Sequence, residues 1–198
     1  MKKIIILSIF IAPAFCLYAQ QDFKTNITTA RTSYASGKLE DTHFALQQAL
    51  QELDIIIGKE VLKILPAKLD TLSAKIKDDH VTGNAGYIGA NIHRNYGGTK
   101  SAEIDIMSNS PLIGTLNMFL NSSMLGGLMR DENNKIVKVQ GYKAKLERQN
   151  PGEDIANYRL DIPLSSSIIS LTVNNTTVAE ILTMANTLPL AQIAKLIQ

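Results

Sequence analysis

Three histidines, one arginine on the apolar phase of a predicted strand and a few carboxylates are the groups in this chain singled out as able to bind a metal, move a proton or hold an anion. His43, His80 and His93 fall on three different predicted elements, without the His-x-x-x-His type of spacing that aims two imidazoles at one ion, so no metal site is expected. Asp131-Glu132-Asn133-Asn134 offers oxygen ligands but lacks the central glycine and closing glutamate of a calcium loop; it reads as a polar turn. Gly-x-Ser-x-Gly does not occur, and the hydroxyl run Ser165-Ser166-Ser167 falls in a predicted hairpin loop with nothing to activate it. Glu103 and Asp105 alternate with apolar residues and belong to the solvated face of one strand. The glycine run from Gly83 to Gly89 lacks the order of a phosphate cradle, which needs G-x-G-x-x-G or a terminal Gly-Lys-Ser/Thr. No catalytic residue and no cofactor are expected.

Arg94 departs from this pattern. Alternation puts it on the same face as Ile92 and Tyr96, where a guanidinium either binds an acidic ligand from a cleft or sends its head to water over an apolar stem. Arg94, Tyr96 and Tyr142 are accordingly the candidate ligand-binding residues. Arg94 combined with His93 and Tyr142 would be the site of a small hydrolase or transferase.

The elements that must position these groups follow from hydrophobic periodicity. Between Ile136 and Val173 three segments alternate. Tyr142, Ala144 and Leu146 stand against Lys143, Lys145 and Glu147; Tyr158, Leu160 and Ile162 against Asn157, Arg159 and Asp161; Ile169, Leu171 and Val173 against Ser170, Thr172 and Asn174. That pattern is an antiparallel sheet with one dry and one wet face. Two further strands precede it, one through Ala90, Ile92 and Tyr96 and one through Ala102, Ile104 and Ile106, joined by a turn at Asn95-Tyr96-Gly97-Gly98. A helix starts at Ser110-Pro111 with Leu112, Leu116, Phe119 and Leu120 on its buried stripe, and Met124, Leu125 and Leu128 extend it. Thr177-Val178-Ala179-Glu180 fits a capping box for a closing helix, which Pro189 interrupts before a last amphipathic turn.

Upstream, Phe23, Ile27, Ala30 and Tyr34 recur at helical spacing up to Gly37, a residue suited to the left-handed conformation that ends a helix. Leu39, Leu46, Ala49, Leu50 and Leu53 form the apolar side of the next helix, and a turn or two more runs from Lys59 to Leu65 before Pro66. The fold class is therefore α+β: an N-terminal antiparallel helical hairpin, then a mainly antiparallel sheet of about five strands covered by helices. The expected divisions are an export signal at 1–19, the hairpin at 20–66, a linker at 67–85 and the sheet domain at 86–198.

Lys2-Lys3, the apolar run Ile4 to Ile11 and Leu17-Tyr18-Ala19 have the order of a signal peptide cleaved after Ala19, so the product is expected in the periplasm or outside the cell. Setting those residues aside leaves 18 basic against 18 acidic residues. Neutrality of this kind gives no argument for nucleic acid, and no stable membrane span is expected after cleavage. The single cysteine, Cys16, lies inside the signal, so the exported chain is expected to hold together by packing alone.

The succession Phe44-Ala45-Leu46-Gln47-Gln48-Ala49-Leu50, Ile57-Gly58-Lys59-Glu60 with Leu65-Pro66, Ser108-Asn109-Ser110-Pro111-Leu112, Gly141-Tyr142-Lys143-Ala144 and Leu188-Pro189-Leu190 resembles an uncharacterised family of exported bacterial proteins. The helical hairpin is similar to a single tetratricopeptide-type unit, and the strand-rich half resembles the PsbP/Mog1-like α+β sandwich; neither likeness implies an activity. The functional expectation is a non-enzymatic exported protein. Its ligand would be an envelope protein or a small apolar molecule, bound in the groove between hairpin and sheet or on the sheet's wet face.

Overall fold

The computed structural model describes residues 15–83, 89–121, 133–153 and 155–197. The start of the expected signal, most of the glycine run, the helical extension through Met124 to Leu128, and Asp131-Glu132 lie outside them. The chain divides into two units, Met1–Glu52 and Leu53–Gln198. No described helix is long and apolar enough to cross a membrane.

The first unit holds α1 (Phe15–Ala35) and the opening of α2 (Leu39–Ile64). Gly37 ends α1 with φ of +72°, and the Lys38 amide reaches back to the Ser33 carbonyl at 2.9 Å, the six-residue closure that satisfies an orphan helix-end carbonyl. The unit buries Ala30, Ala45 and Ala49, so its packing runs through small side chains. Tyr34, Leu46, Leu50 and Leu53, expected on the apolar side, are exposed instead.

The second unit begins within α2, which continues unbroken to Ile64 where the sequence pattern placed a gap before Lys59. Gly58 explains its internal glycine: a Cβ there would lie 2.5 Å from a Val81 methyl, so the helix rests directly against the next elements. Pro66 follows, and a two-stranded ribbon forms from β1 (Lys68–Leu69) and β2 (Leu72–Ser73). After a short 3-10 turn come β3 (His80–Gly83), β4 (Ala90–Gly97), β5 (Ser101–Met107), α3 (Ile113–Asn121), β6 (Asn134–Val139), β7 (Tyr142–Arg148), β8 (Tyr158–Leu164), β9 (Ser167–Val173), α4 (Val178–Asn186) and α5 (Leu190–Leu196).

β3 to β9 make one antiparallel sheet in the order β3-β4-β5-β9-β8-β7-β6. Seven strands replace the expected five or so, and the stretch 67–85, read as a linker, carries the ribbon and an edge strand. Both added strands of the sheet are edges. Only one side of an edge strand is paired, and natural edges tolerate polar and charged residues that discourage further pairing. His80-Val81-Thr82-Gly83, read as part of the linker, and the segment with the lysines at 135 and 138, assigned to no strand, therefore pair in the fold without an alternating pattern that announces them. At β6–β7 the chain reverses through Gln140 and Gly141, both at positive φ, the two-residue turn that matches strand twist.

The main core lies on one face of the sheet, where Ile92, Ile104, Ile106, Leu146, Leu160, Ile162, Ile169 and Leu171 cluster with Val61 of α2, Leu65 just past its end, and Ile181, Met184, Leu190 and Ile193 of the closing helices. The Thr177/Glu180 capping box holds α4 as the sequence indicated. The opposite face carries α3, because the chain must cross from β5 in mid-sheet to β6 at the far edge.

Asp54, on α2, accepts the Gly89 amide at 2.8 Å. Burial pushes its carboxyl above the usual range, and the Gly89 hydrogen bond only partly opposes this. A raised folded-state pKa favours folding when the group is protonated, so the ionised form weakens the fold near neutrality. Asp54→Asn keeps an acceptor for Gly89 and removes the charge. It should raise the thermal midpoint at pH 7, and the gain should close as pH falls below about 4, where the wild-type carboxyl is also neutral.

Candidate functional site

Side chains of directly paired residues share a face, so strand register assembles rows across a sheet. One row on the α3 side runs through all seven strands: His80, His93, Asp105, Ser170, Asp161, Lys145 and Ile136. Next to it run Glu103, Thr172, Arg159, Glu147 and Asn134, and on the other side Asn91, Met107 and Ile168. The register thus gathers groups that are tens of residues apart in the chain.

These charges are paired among themselves. His93 Nδ1 lies 2.6 Å from Asp105 Oδ1. Arg159 Nε donates to Asp161 Oδ1 at 2.9 Å and Arg159 Nη2 to Ser170 Oγ at 3.0 Å, while Ser170 Oγ donates to Asp161 at 2.6 Å. Lys145 Nζ meets Glu147 at 2.5 Å and stands 5.7 Å from the Phe119 ring centroid, within cation–π range. Burial alone would lower the Arg159 pKa; the Asp161 hydrogen bond and the charges of Asp161, Asp105 and Glu147 outweigh it and raise the value. The guanidinium stays charged among three carboxylates.

α3 roofs this surface. Ser110 lies in the turn before it, its Oγ accepting the Leu112 amide at 3.3 Å and its own amide tied to the Ser166 carbonyl at 2.9 Å; the helix starts at Ile113 rather than at Ser110-Pro111, and Leu112, expected on the buried stripe, is exposed. At the other end Lys143 Nζ reaches the Leu120 carbonyl at 3.4 Å and Asn121 Oδ1 at 3.1 Å, placing a cation where the helix dipole is negative. Leu116 and Leu120 pack on Ile168, with Ile113, Phe119 and Ile136 around them, a small apolar cluster separate from the main core. Beside that cluster opens a cleft of about 840 Å³. Its wall is Leu112, Leu116, Met118 and Phe119, and its floor is the polar row with Met107 and Ile168.

The residues singled out in the sequence lie elsewhere, with one exception. Arg94 and Tyr96 face the main core: Arg94 forms a two-point ion pair with Asp79 (2.8 and 2.5 Å) and donates to the Leu65 carbonyl at 3.2 Å, and the Tyr96 hydroxyl donates to the Pro66 carbonyl at 2.9 Å. Both tie the end of α2 to the sheet, and their polar atoms are thereby used. Tyr142 is half-buried against the same core. His93 projects from the opposite face and lines the cleft, so Arg94, His93 and Tyr142 cannot converge on one reacting atom. The cleft residues Arg159, Asp161, Lys145 and Ser170 were visible only as the wet phase of alternating strands; their convergence depends on register. Among the described residues, no group of three or more His, Cys, Asp or Glu is placed to hold a metal ion.

Comparison with protein-family models, with curated proteins and with solved structures finds no match to the chain, so the cleft residues alone carry the functional argument.

Proposed function

We propose that this chain is a non-enzymatic, exported binding protein of the cell envelope whose ligand is a small amphipathic molecule held under α3. The observation that carries the reading is the cleft itself. Its volume of about 840 Å³ falls in the range of small-molecule sites, and one wall is apolar while the floor is polar. Because the floor's cations and carboxylates already neutralise each other, a ligand with an apolar body and a neutral or zwitterionic polar edge fits better than a strongly charged one. A bare charge would have to displace an existing ion pair. The hydrolase or transferase alternative loses its support, because its three residues stand on two faces of the sheet.

The neutral amphipathic naphthalene dye 6-propionyl-2-(dimethylamino)naphthalene serves as a probe, titrated calorimetrically against the folded protein. Leu112 and Met118 are exposed and line the cleft, so arginine at either position should leave the fold intact. The expected result is saturable one-to-one binding, weakened at least about tenfold by Leu112→Arg or Met118→Arg, a change of about 1.4 kcal/mol. Ile76→Arg makes the same change at an exposed residue away from the cleft and should leave binding unchanged. Equal losses at Ile76 and at the roof, or no saturable binding, would overturn the reading.

A further inference from the structure

We infer that His80 and His93 form a two-histidine clamp for a divalent late transition metal, with Asp105 orienting one of the imidazoles. His80 and His93 are direct cross-strand partners on β3 and β4, and Asp105 is the direct partner of His93 on β5. Direct partners have Cβ atoms about 4.5–5.5 Å apart on one face. Two imidazole nitrogens bound to one ion at about 2.0–2.1 Å each must come within roughly 3 Å of each other, which side chains with that base separation can reach.

The chemistry of the pair favours it. Asp105 Oδ1 at 2.6 Å from His93 Nδ1 places the proton on Nδ1, as a carboxylate can only accept there, and leaves the Nε2 lone pair for a metal. A carboxylate behind a ligating histidine is the usual way proteins fix the tautomer and raise ligand basicity. His80 is exposed on an edge strand and free to rotate onto the ion, and the His93 side chain retains 30% exposure. With two protein ligands the coordination sphere keeps positions open to water or to a donor from the cleft that both residues line. Imidazole ligation with open positions suits Cu²⁺, Ni²⁺ and Zn²⁺, and Cu²⁺ should bind most tightly of the three. The clamp does not depend on the cleft's holding an organic ligand.

The test uses the full chain without a polyhistidine tag, titrated with Cu²⁺ and followed by calorimetry and by electron paramagnetic resonance. One equivalent should bind, with nitrogen superhyperfine structure in the spectrum. His80→Ala and His93→Gln should each abolish the saturable phase. Asp105→Asn should weaken it about tenfold, the usual effect of removing a carboxylate behind a ligating histidine. His43→Ala should change nothing, and far-ultraviolet circular dichroism should show each variant folded. Binding that survives His80→Ala or His93→Gln in folded protein, binding that is lost with His43→Ala, or no saturable phase at all would overturn the assignment.

Discussion

Asp79→Ala should destabilise the sheet-bearing unit by about 3–5 kcal/mol in chemical denaturation, because it strands the Arg94 guanidinium in the core. Arg94 is 5% exposed, and without Asp79 its remaining partners are the neutral Leu65 carbonyl and Tyr96 hydroxyl, neither of which balances its charge. Removing the other member leaves a different remainder. In Arg94→Met the thioether stem fills much of the arginine's apolar volume, and the orphaned Asp79 sits on a turn from which it can reach water. Arg94→Met should therefore cost less than Asp79→Ala, and the double variant should recover part of the single Asp79 loss, giving a clear coupling in a double-mutant cycle. The Asp79 hydrogen bond, working against burial, raises the arginine's pKa, so the guanidinium stays charged throughout the pH range in which the cycle is measured. An Asp79→Ala loss of less than about 1 kcal/mol would mean a solvated guanidinium and would return Arg94 to the list of ligand-binding groups.

The same ion pair shows what alternation alone leaves out at Arg94. The phase of β4 correctly put the arginine with Ile92 and Tyr96. What the sequence could not show was the partner, since Asp79 lies in a polar stretch that reads as solvated linker. The guanidinium is a joint between α2, the 3-10 turn and the sheet, and those elements meet only in three dimensions. A similar limit hid β3 and β6. An edge strand contributes one apolar phase at most, and its other residues obey solvent, so its sequence lacks the β signal that Ile169, Leu171 and Val173 give so clearly in mid-sheet.

For the cleft, the sequence showed the ingredients without the assembly. Each of Asp105, Lys145, Arg159, Asp161 and Ser170 was identifiable as belonging to the wet side of its own strand. Which of them become neighbours depends on strand order, and the order places β9 beside β5, after a crossover that α3 makes over the wet face. Local periodicity carries no information about that crossover. The helix and its stripe Leu116, Phe119 and Leu120 were legible, with the start set three residues too early, yet a stripe does not say which face of the sheet it will cover. His80 and His93 illustrate the same point at closer range: twelve intervening residues conceal a direct cross-strand pair.

Two adjacent isoleucines on β9 separate the two faces in one experiment. Ile169 is fully buried in the main core, between Ile106 and Ile162 in its row, and Ile169→Ala should lower global stability by about 2–5 kcal/mol through lost transfer energy and the cavity left behind. Probe binding in the cleft, measured where the variant is still folded, should be nearly unchanged, because its floor is built from the other phase. Ile168 points the other way, under Leu116 and Leu120, and supports the roof. Its alanine variant removes apolar contact from a cluster of only a few residues, at the rim of solvent, so the global loss should be at the low end of that range or below it. Its effect on the cleft should be the larger one: α3 loses the side chain it rests on, and binding of the naphthalene probe should fall by at least about tenfold, or 1.4 kcal/mol. Reversal of this pattern, with Ile168→Ala unfolding the unit and Ile169→Ala emptying the cleft, would place α3 on the wrong face. Equal effects from both would mean that the small cluster and the main core are one cooperative body, and that the roof cannot be loosened without melting the sheet.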